Sequence, residues 1–153
     1  MKLAQCIILD LLKDYDPVPI LPETCDFHFS GVQLLDQDNP TDDPSILYIG
    51  TTTQISSFDT EKLKDFCIIC IGKKEDVSSY IENYQANLIL IPENHSLASV
   101  VNTLYTGFHR ILNWDGELQN AILRKQNYQS LFSIGGRFFG KNAMLMVNSS
   151  YNV

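Results

Sequence analysis

The chain of 153 residues is long enough for one domain, or for one small domain with an extension. Hydrophobic residues make up 44% of it, which supplies a core and excludes an intrinsically disordered protein. The net charge of −7 at pH 7 excludes a general basic surface, so nucleic acid is not the expected partner of this chain.

The N-terminus carries no pattern typical of export or membrane insertion. Its apolar stretch after Lys2 is interrupted at Asp10, which makes it too short for the core of a signal peptide. No window approaches the roughly 18 uncharged apolar residues of a membrane-spanning helix. We therefore expect a cytoplasmic protein with no membrane partner, and we interpret its four cysteines as reduced thiols.

The first third of the chain contains short predicted elements. Apolar residues at helical spacing predict an amphipathic helix over residues 2–14, which ends before Pro17. Short strands are predicted over 18–21 and 32–35. The acidic stretch over 36–44 is typical of a loop.

The middle of the chain is dominated by three continuous apolar runs, at 46–49, 66–71 and 88–91. Runs of this kind indicate strands that are buried on both faces of a parallel sheet. Helices are predicted between them over 59–64 and 75–84. The alternation of strand and helix predicts an α/β fold with a small, mainly parallel sheet flanked by helices, followed by a long C-terminal connector helix.

The long helix is predicted to begin at residue 97, with Ser96 as its N-cap, and to end at Gly135–Gly136. Its apolar residues show a partial seven-residue repeat, interrupted at Asp115. Two interpretations stay open: the helix packs on its own sheet, or its second half also pairs with a second chain. A bend near 114–116 is a further alternative, because glycine weakens a helix interior. The residues assigned to homodimerisation are Leu104, Phe108, Ile111, Leu118 and Ile122.

Charge divides the chain near the start of this helix. Residues 1–96 carry 16 acidic and 6 basic side chains, whereas residues 97–153 carry 2 acidic and 5 basic ones. We predict an α/β regulatory domain over 1–95 and a helix for packing or dimerisation over 96–134. Residues 135–153 are interpreted as the start of a truncated following domain, because they contain a strand-like run with no strand after it.

The sequence contains no pattern typical of catalysis or metal binding. Cys67 and Cys70 have the spacing of a redox pair, but they lie in a predicted apolar strand, where residues three apart point to opposite faces. The three histidines lack metal-ligand spacing, and no cofactor is expected. We therefore expect no enzymatic activity. If the chain were an enzyme, Cys67, Cys70 and His95 would be the first residues to inspect.

A small-molecule site is predicted where the parallel strands end. Open α/β sheets place ligands at the carboxyl ends of their strands. Three polar turns follow the three buried strands of this chain. The residues assigned to this site are Thr51, Thr52, Lys73, Asn94 and His95.

The order of the apolar segments resembles that of a known protein family. The segments are IILDLL (7–12), GVQLLD (31–36), ILYIGT (46–51), ANLILIP (86–92) and ILNWDGELQNAIL (111–123). Together they resemble the N-terminal region of PucR-like (purine catabolism regulator-like) bacterial transcriptional regulators.

This resemblance implies an N-terminal α/β domain, a helical connector, a GAF- or PAS-like middle region and a C-terminal helix-turn-helix. Residues 118–153 are similar to the connector and to the opening strand of that middle region. No catalytic or binding residue is carried over. Because the chain has no helix-turn-helix pattern, DNA contact by this fragment is not implied, and the full-length protein would reach DNA through its C-terminal domain.

The residues and the resemblance together lead to a functional expectation. The chain is expected to be a regulatory domain that senses an unidentified small-molecule effector, dimerises through its long helix, or does both. One alternative is a purely structural assembly module, which would self-associate without a ligand. The other is a small α/β enzyme, which would need a cleft with a perturbed nucleophile or base.

Overall fold

The structure is a computed structural model, and it describes five stretches of the chain. Two predicted elements, the helix over 59–64 and the strand-like run over 143–147, lie outside these stretches, as does the second half of the predicted helix over 75–84. The described stretches are residues 2–20, 27–36, 43–56, 66–78 and 87–139.

The chain forms two compact units, Met1–Phe108 and His109–Val153. The boundary between them falls inside the long helix, between Phe108 and His109. The first turns of that helix are therefore part of the α/β unit.

Short strands and helices alternate along the described residues. The strands are β1 (Leu3–Ala4), β2 (Val18–Ile20), β3 (His28–Phe29), β4 (Gly31–Leu34), β5 (Ile46–Thr51), β6 (Cys67–Ile71) and β7 (Asn87–Ile91). The helices are α1 (Gln5–Leu11), a 3₁₀ turn (Lys13–Tyr15), α2 (Thr52–Ser56), α3 (described over 74–78), α4 (Leu97–Leu123) and α5 (Tyr128–Phe139).

Five strands form one mostly parallel sheet in the order β2-β7-β6-β5-β4. Strands β4, β5, β6 and β7 run parallel, and β2 joins antiparallel to β7, with Pro19 paired to Ile89. With helices α2, α3 and α4 following its strands, this arrangement confirms the predicted α/β fold.

The sheet is held together by rows of apolar side chains that cross the strands. Tyr48, Ile68 and Leu88 are paired across β5, β6 and β7, and all three belong to one buried cluster. Helices α2 and α3 contribute Ile55 and Val77 to the same cluster. Because side chains alternate along a strand, the paired residues one position further on form the buried row of the opposite face. Burial on both faces is what the continuous apolar runs predicted.

The N-terminal helix differs from its prediction over residues 2–14. It is shorter, because Leu3 and Ala4 form a strand that pairs antiparallel with β3. Leu3 and its partner Phe29 are both fully buried, and burial of this pair outweighs the helical periodicity of the segment. The helix gives way to the 3₁₀ turn, which ends where Asp16 adopts a left-handed conformation with φ of 49°.

The start of α4 confirms the predicted cap. The Ser99 backbone N–H donates to the Ser96 hydroxyl over 3.1 Å, as in an N-cap. The presence of glycine at position 107 has a steric reason, because a Cβ at this position would lie 2.6 Å from Leu11 Cδ1. The glycine lets α1 and α4 approach each other closely, which offsets its low helix propensity.

The single helix predicted over 96–134 is two helices. Helix α4 passes through 114–116 without a break and ends at Leu123. Lys125 has a φ of 50°, and the Gln126 N–H donates to the Ala121 carbonyl over 2.9 Å, which is the six-to-one bond of a Schellman motif. Helix α5 then begins with Asn127 as its cap, since the Ser130 N–H donates to Asn127 Oδ1 over 3.0 Å.

The predicted helix end at Gly135–Gly136 is wrong. Both glycines lie inside α5, which continues to Phe139. Among the described residues, no helix is long and apolar enough to cross a membrane.

The residues assigned to dimerisation have unequal exposure. Leu104, Phe108 and Ile111 are buried within the folded chain, and Leu104 has no exposed surface. Little of these three side chains is left for a second copy to contact. Leu118 is half-buried, and Ile122 is 64% exposed, so only these two of the five retain a surface for another chain.

Candidate functional site at the carboxyl edge of the sheet

The carboxyl ends of β5, β6 and β7 bring polar residues together at one edge of the sheet. The strands end in register, with Thr51 paired to Ile71 and Ile71 to Ile91. The chain then turns into α2, α3 and α4, as the predicted crossovers require. We call the polar group at this edge the polar edge, and it consists of Thr52, Lys73, Asp76 and Glu93.

The turn after β6 lies directly against the first residue of α2. Gly72 has a φ of 152°, and a Cβ there would lie 2.3 Å from Thr52 Cγ2. Thr52 is buried, and its hydroxyl donates to Asp76 Oδ2 over 3.4 Å. Only glycine at residue 72 allows this approach, which places a hydroxyl and a carboxylate side by side.

Lys73 and Glu93 complete the polar edge. The Lys73 ammonium lies 3.3 Å from Glu93 Oε1, and the two side chains are 58% and 63% exposed. A surface ion pair of this kind adds only about 0–1 kcal/mol to stability. The pair therefore has charged groups that remain accessible to a ligand.

Thr51 has a structural role rather than a ligand-facing one. Its hydroxyl accepts the Gln54 N–H over 3.3 Å, while Gln54 Oε1 accepts the Thr51 N–H over 2.9 Å. These reciprocal bonds form a capping box that starts α2. The sequence pattern Thr-x-x-Gln was the available signal for this box.

His95 and Asn94 lie in the turn between β7 and α4. The His95 ring packs edge-on against Tyr15, with centroids 5.0 Å apart. The Tyr15 hydroxyl in turn lies 2.8 Å from the hydroxyls of Ser99 and Thr103. His95 therefore packs against the 3₁₀ turn, which in turn is bonded to α4. Asn94 is exposed, and among the described residues no contact joins it to the polar edge.

Two members of the polar edge, Asp76 and Glu93, are absent from the predicted site. Each reaches its partner across the sheet edge, Asp76 from α3 to Thr52 and Glu93 from the β7 turn to Lys73. Sequence spacing gives no signal for such contacts, because they depend on the order of the strands. The resulting group contains two carboxylates, one ammonium and one hydroxyl, which suits a polar ligand that donates hydrogen bonds.

The cysteines of β6 lie on opposite faces of the sheet. Cys70 belongs to the cluster of Tyr48 and Ile68, and Cys67 is buried on the other face. Burial raises the pKa of the Cys70 thiol to about 12, and the Asp76 carboxylate adds to this rise. A thiol in this environment stays protonated near neutral pH and is unsuited to redox exchange.

We expect Cys70 to make the first unit sensitive to alkaline pH. The folded-state pKa of about 12 lies above the ordinary value of 9.0, so its contribution is complete below about pH 9 and is lost as the pH rises towards 12. At pH 10.5 the loss is about 2 kcal/mol. The measurement is urea denaturation from pH 8 to about pH 10.5.

The matched variant is Cys70→Ala, which removes the thiol but keeps every other alkaline titration. We expect its stability to fall less steeply over this interval than that of the unaltered chain. Equal slopes for the two proteins would contradict the assignment to Cys70.

No group of three or more His, Cys, Asp or Glu side chains in the described residues is arranged to hold a metal ion. Asp43, which belongs to an acidic pair of the sequence, instead forms a turn before β5. Its Oδ1 accepts the Ser45 N–H over 2.8 Å, and this bond holds the pKa of the carboxyl below its ordinary value.

A separate cavity of about 360 Å³ lies in the second unit, between the last turns of α4 and helix α5. Two of its lining residues form an ion pair, with Arg137 Nη2 2.8 Å from Glu117 Oε2. Trp114 stacks on Phe138 with ring centroids 4.4 Å apart, which fixes the two helices to each other. The lining includes Asn120, Ala121, Gln126, Ser130, Ile134 and Arg137.

The polar edge remains the stronger candidate of the two, because it combines a strand-end position with polar groups that follow three neighbouring strands, β5, β6 and β7. No family model, curated protein or solved structure matches the chain.

Proposed function

We propose that the chain is the N-terminal regulatory domain of a PucR-like bacterial transcriptional regulator. In this proposal it binds a small polar effector at the polar edge and acts as a homodimer in the cytoplasm. DNA is bound by the C-terminal domain of the full-length protein, and catalysis is not part of the role.

The observation that carries the proposal is the group formed by Thr52, Gly72 and Asp76 beside the Lys73–Glu93 pair. Its position follows the rule that open α/β sheets bind ligands outside the carboxyl ends of their strands. The carboxylates accept hydrogen bonds from a ligand amine or amide, and the ammonium binds a carbonyl or carboxylate oxygen. A ligand with both kinds of group would satisfy all of them.

Regulation adds a requirement to binding. An effector changes the state of a protein only when it binds one state better than the other. Each of the three turns that form the polar edge leads into a helix, and the β7 turn leads into α4. A ligand that separates Glu93 from Lys73 would therefore act on the segment immediately before α4.

We expect an effector to raise the melting temperature of the chain. The candidates are purines, ureides, amino acids and nucleotides, tested one class at a time. At 100 times its Kd a ligand stabilises the folded state by about 2.7 kcal/mol, which is several degrees for a domain of this size. Thermal shift assays are the measurement.

The variant Lys73→Ala is expected to abolish the shift. Its matched control is Lys13→Ala, which breaks another exposed ion pair, between Lys13 and Asp10 at 3.6 Å, far along the chain from the polar edge. A shift that survives Lys73→Ala unchanged, or the absence of any shift with all four classes, would count against effector binding at the polar edge.

The second candidate function is a purely structural assembly module. Four large apolar side chains of the second unit are exposed within a short stretch of sequence, which favours this reading. The module would self-associate and show no ligand-dependent shift. The four side chains are Leu112, Ile122, Leu123 and Tyr128.

A further inference from the structure

The cavity of the second unit has an apolar floor and a charged rim. Ala121 of α4 and Ile134 of α5 line it and are 1% and 8% exposed, so they form its floor. Glu117 and Arg137 also line it, and their side chains are 50% and 68% exposed. A dissolved molecule can therefore reach both the charges and the apolar floor from the solvent.

The cavity forms because short side chains line it on both helices. Glu117 and Ala121 lie one turn apart on α4, so they share a face of that helix. Ser130, Ile134 and Arg137 share a face of α5 in the same way. Alanine and serine are too short to fill the space between two helices whose axes are about 8–10 Å apart. At about 360 Å³ the space lies near the lower end of the range for ligand pockets, which suits a small ligand.

The ion pair at the rim keeps hydrogen-bonding groups that the pair itself does not use. The contact joins a single guanidinium nitrogen, Arg137 Nη2, to a single carboxylate oxygen, Glu117 Oε2. An arginine has five N–H donors, and a carboxylate has two acceptor oxygens. Among the described residues, these two side chains form no other hydrogen bond. The pair can therefore bind a further carboxylate at Arg137 and a further ammonium at Glu117 without separating.

The charges at the rim favour a ligand that carries both signs. Glu117 and Arg137 together have no net charge, so Glu117 would repel a simple anion and Arg137 would repel a simple cation. A zwitterion instead places each of its charges beside the opposite one. In an α-amino acid the carboxylate and the ammonium are attached to the same carbon, so both can reach the two partners of one ion pair.

We propose that this cavity binds a zwitterionic α-amino acid with an uncharged side chain. The ligand carboxylate accepts hydrogen bonds from the Arg137 guanidinium, and the ligand ammonium donates to Glu117. The ligand side chain lies against Ala121 and Ile134, where a charged group would lose its hydration without a partner. This site goes beyond the proposed function, because the polar edge belongs to the first unit and this cavity to the second.

The fluorescence of Trp114 provides a readout for this cavity. Trp114 is the only tryptophan of the chain, lies one turn from Glu117 and stacks on Phe138, the neighbour of Arg137. The probes are the L-amino acids with uncharged, non-aromatic side chains, titrated one at a time into the full chain, with isothermal titration calorimetry on the same samples. At least one is expected to bind saturably and to change the fluorescence. The same compound without its amino group, or without its carboxyl group, is expected to bind at least tenfold more weakly.

Two charge-removing variants test the assigned contacts. Arg137→Gln and Glu117→Gln are each expected to weaken binding at least tenfold, because each removes a charge that the ligand needs. Neither is expected to unfold the unit, since an exposed ion pair contributes little to stability. Asp115→Asn is the matched control, because it removes the same charge from α4 while Asp115 is bonded to Gln119 and does not line the cavity. It is expected to bind the ligand as tightly as the unaltered chain does.

Lys73→Ala separates this cavity from the polar edge. An amino acid held in the cavity keeps its affinity in Lys73→Ala and loses it in Arg137→Gln, whereas one held at the polar edge does the reverse. Three results would overturn the proposal: no saturable binding of any probe, equal affinity in Arg137→Gln and the unaltered chain, or equal losses in Asp115→Asn and Glu117→Gln. None of them bears on effector binding at the polar edge, which the thermal shifts of Lys73→Ala test.

Discussion

Leu104→Asp is expected to unfold the first unit. Leu104 is fully buried in α4, so the substitution removes its packing and places a carboxylate among apolar side chains. The lost packing alone costs about 2–5 kcal/mol, and an unpaired buried charge adds several more. Because domains of this size are stable by about 5–15 kcal/mol, most or all of the stability is lost. Hydrogen exchange of the β6 peptide is the measurement, since it reports on the first unit alone.

The same substitution at Ile122 is the control. Ile122 also belongs to the predicted seven-residue repeat, but it is 64% exposed. Ile122→Asp is expected to cost at most about 1 kcal/mol, mainly because a negative charge near the C-terminus of a helix is unfavourable. Normal protection of β6 in Leu104→Asp would show that Leu104 does not lie in the core, and would restore it as a candidate for dimerisation.

Gly72→Ala is expected to destabilise the first unit by about 3 kcal/mol. The φ of 152° at this residue is strained for any residue with a side chain. A methyl group would also lie 2.3 Å from Thr52 Cγ2 and 2.6 Å from Thr52 Oγ1. Thr52 cannot turn away freely, because it is buried and bonded to Asp76. Urea denaturation followed by far-UV circular dichroism measures the effect.

Two further variants locate the cause. Gly31→Ala places its methyl group at ordinary contact distance, 3.4 Å from Ile46 Cδ1, and is expected to leave stability nearly unchanged. The double variant Gly72→Ala with Thr52→Ala removes the two closest atoms, so it is expected to cost less than the sum of the single variants. If Gly72→Ala proved as harmless as Gly31→Ala, the close contact that defines the polar edge would not exist.

The central strands could be predicted from the sequence because a strand that is buried on both faces consists of a continuous run of apolar residues. The apolar runs at 46–49, 66–71 and 88–91 became β5, β6 and β7 with ends shifted by at most two residues. Strands β1 and β3 had no such signal. Each has two residues, and their pairing joins Leu3 to Phe29, a contact far apart in sequence.

The break between α4 and α5 could not be predicted, because the residue that ends α4 is of an unusual type for its position. A left-handed residue at a helix end is usually glycine, but here it is Lys125. The glycines that suggested an end, Gly135 and Gly136, lie within α5 instead. Each costs about 1 kcal/mol of helix propensity relative to alanine, which the packing of α5 on α4 offsets.

The sequence was enough to predict where the candidate site lies, but not which side chains form it. Parallel strands fix where their carboxyl ends meet, so Thr52 and Lys73 could be assigned to one edge. Their partners Asp76 and Glu93 depend on strand order and on the close approach at Gly72, neither of which is encoded in local sequence. Thr51 illustrates the opposite error, because its capping-box pattern was readable and points to a structural role.

The two outer strands of the described sheet are both poor templates for a further strand. Strand β2 has three residues, and its central Pro19 has no N–H to donate to a new neighbour. On the other side, the Val32 carbonyl of β4 already accepts the Tyr105 hydroxyl over 3.0 Å. Edge-to-edge aggregation and capture of an extended peptide are therefore both disfavoured at this sheet, although its inner strands are among the most apolar segments of the chain.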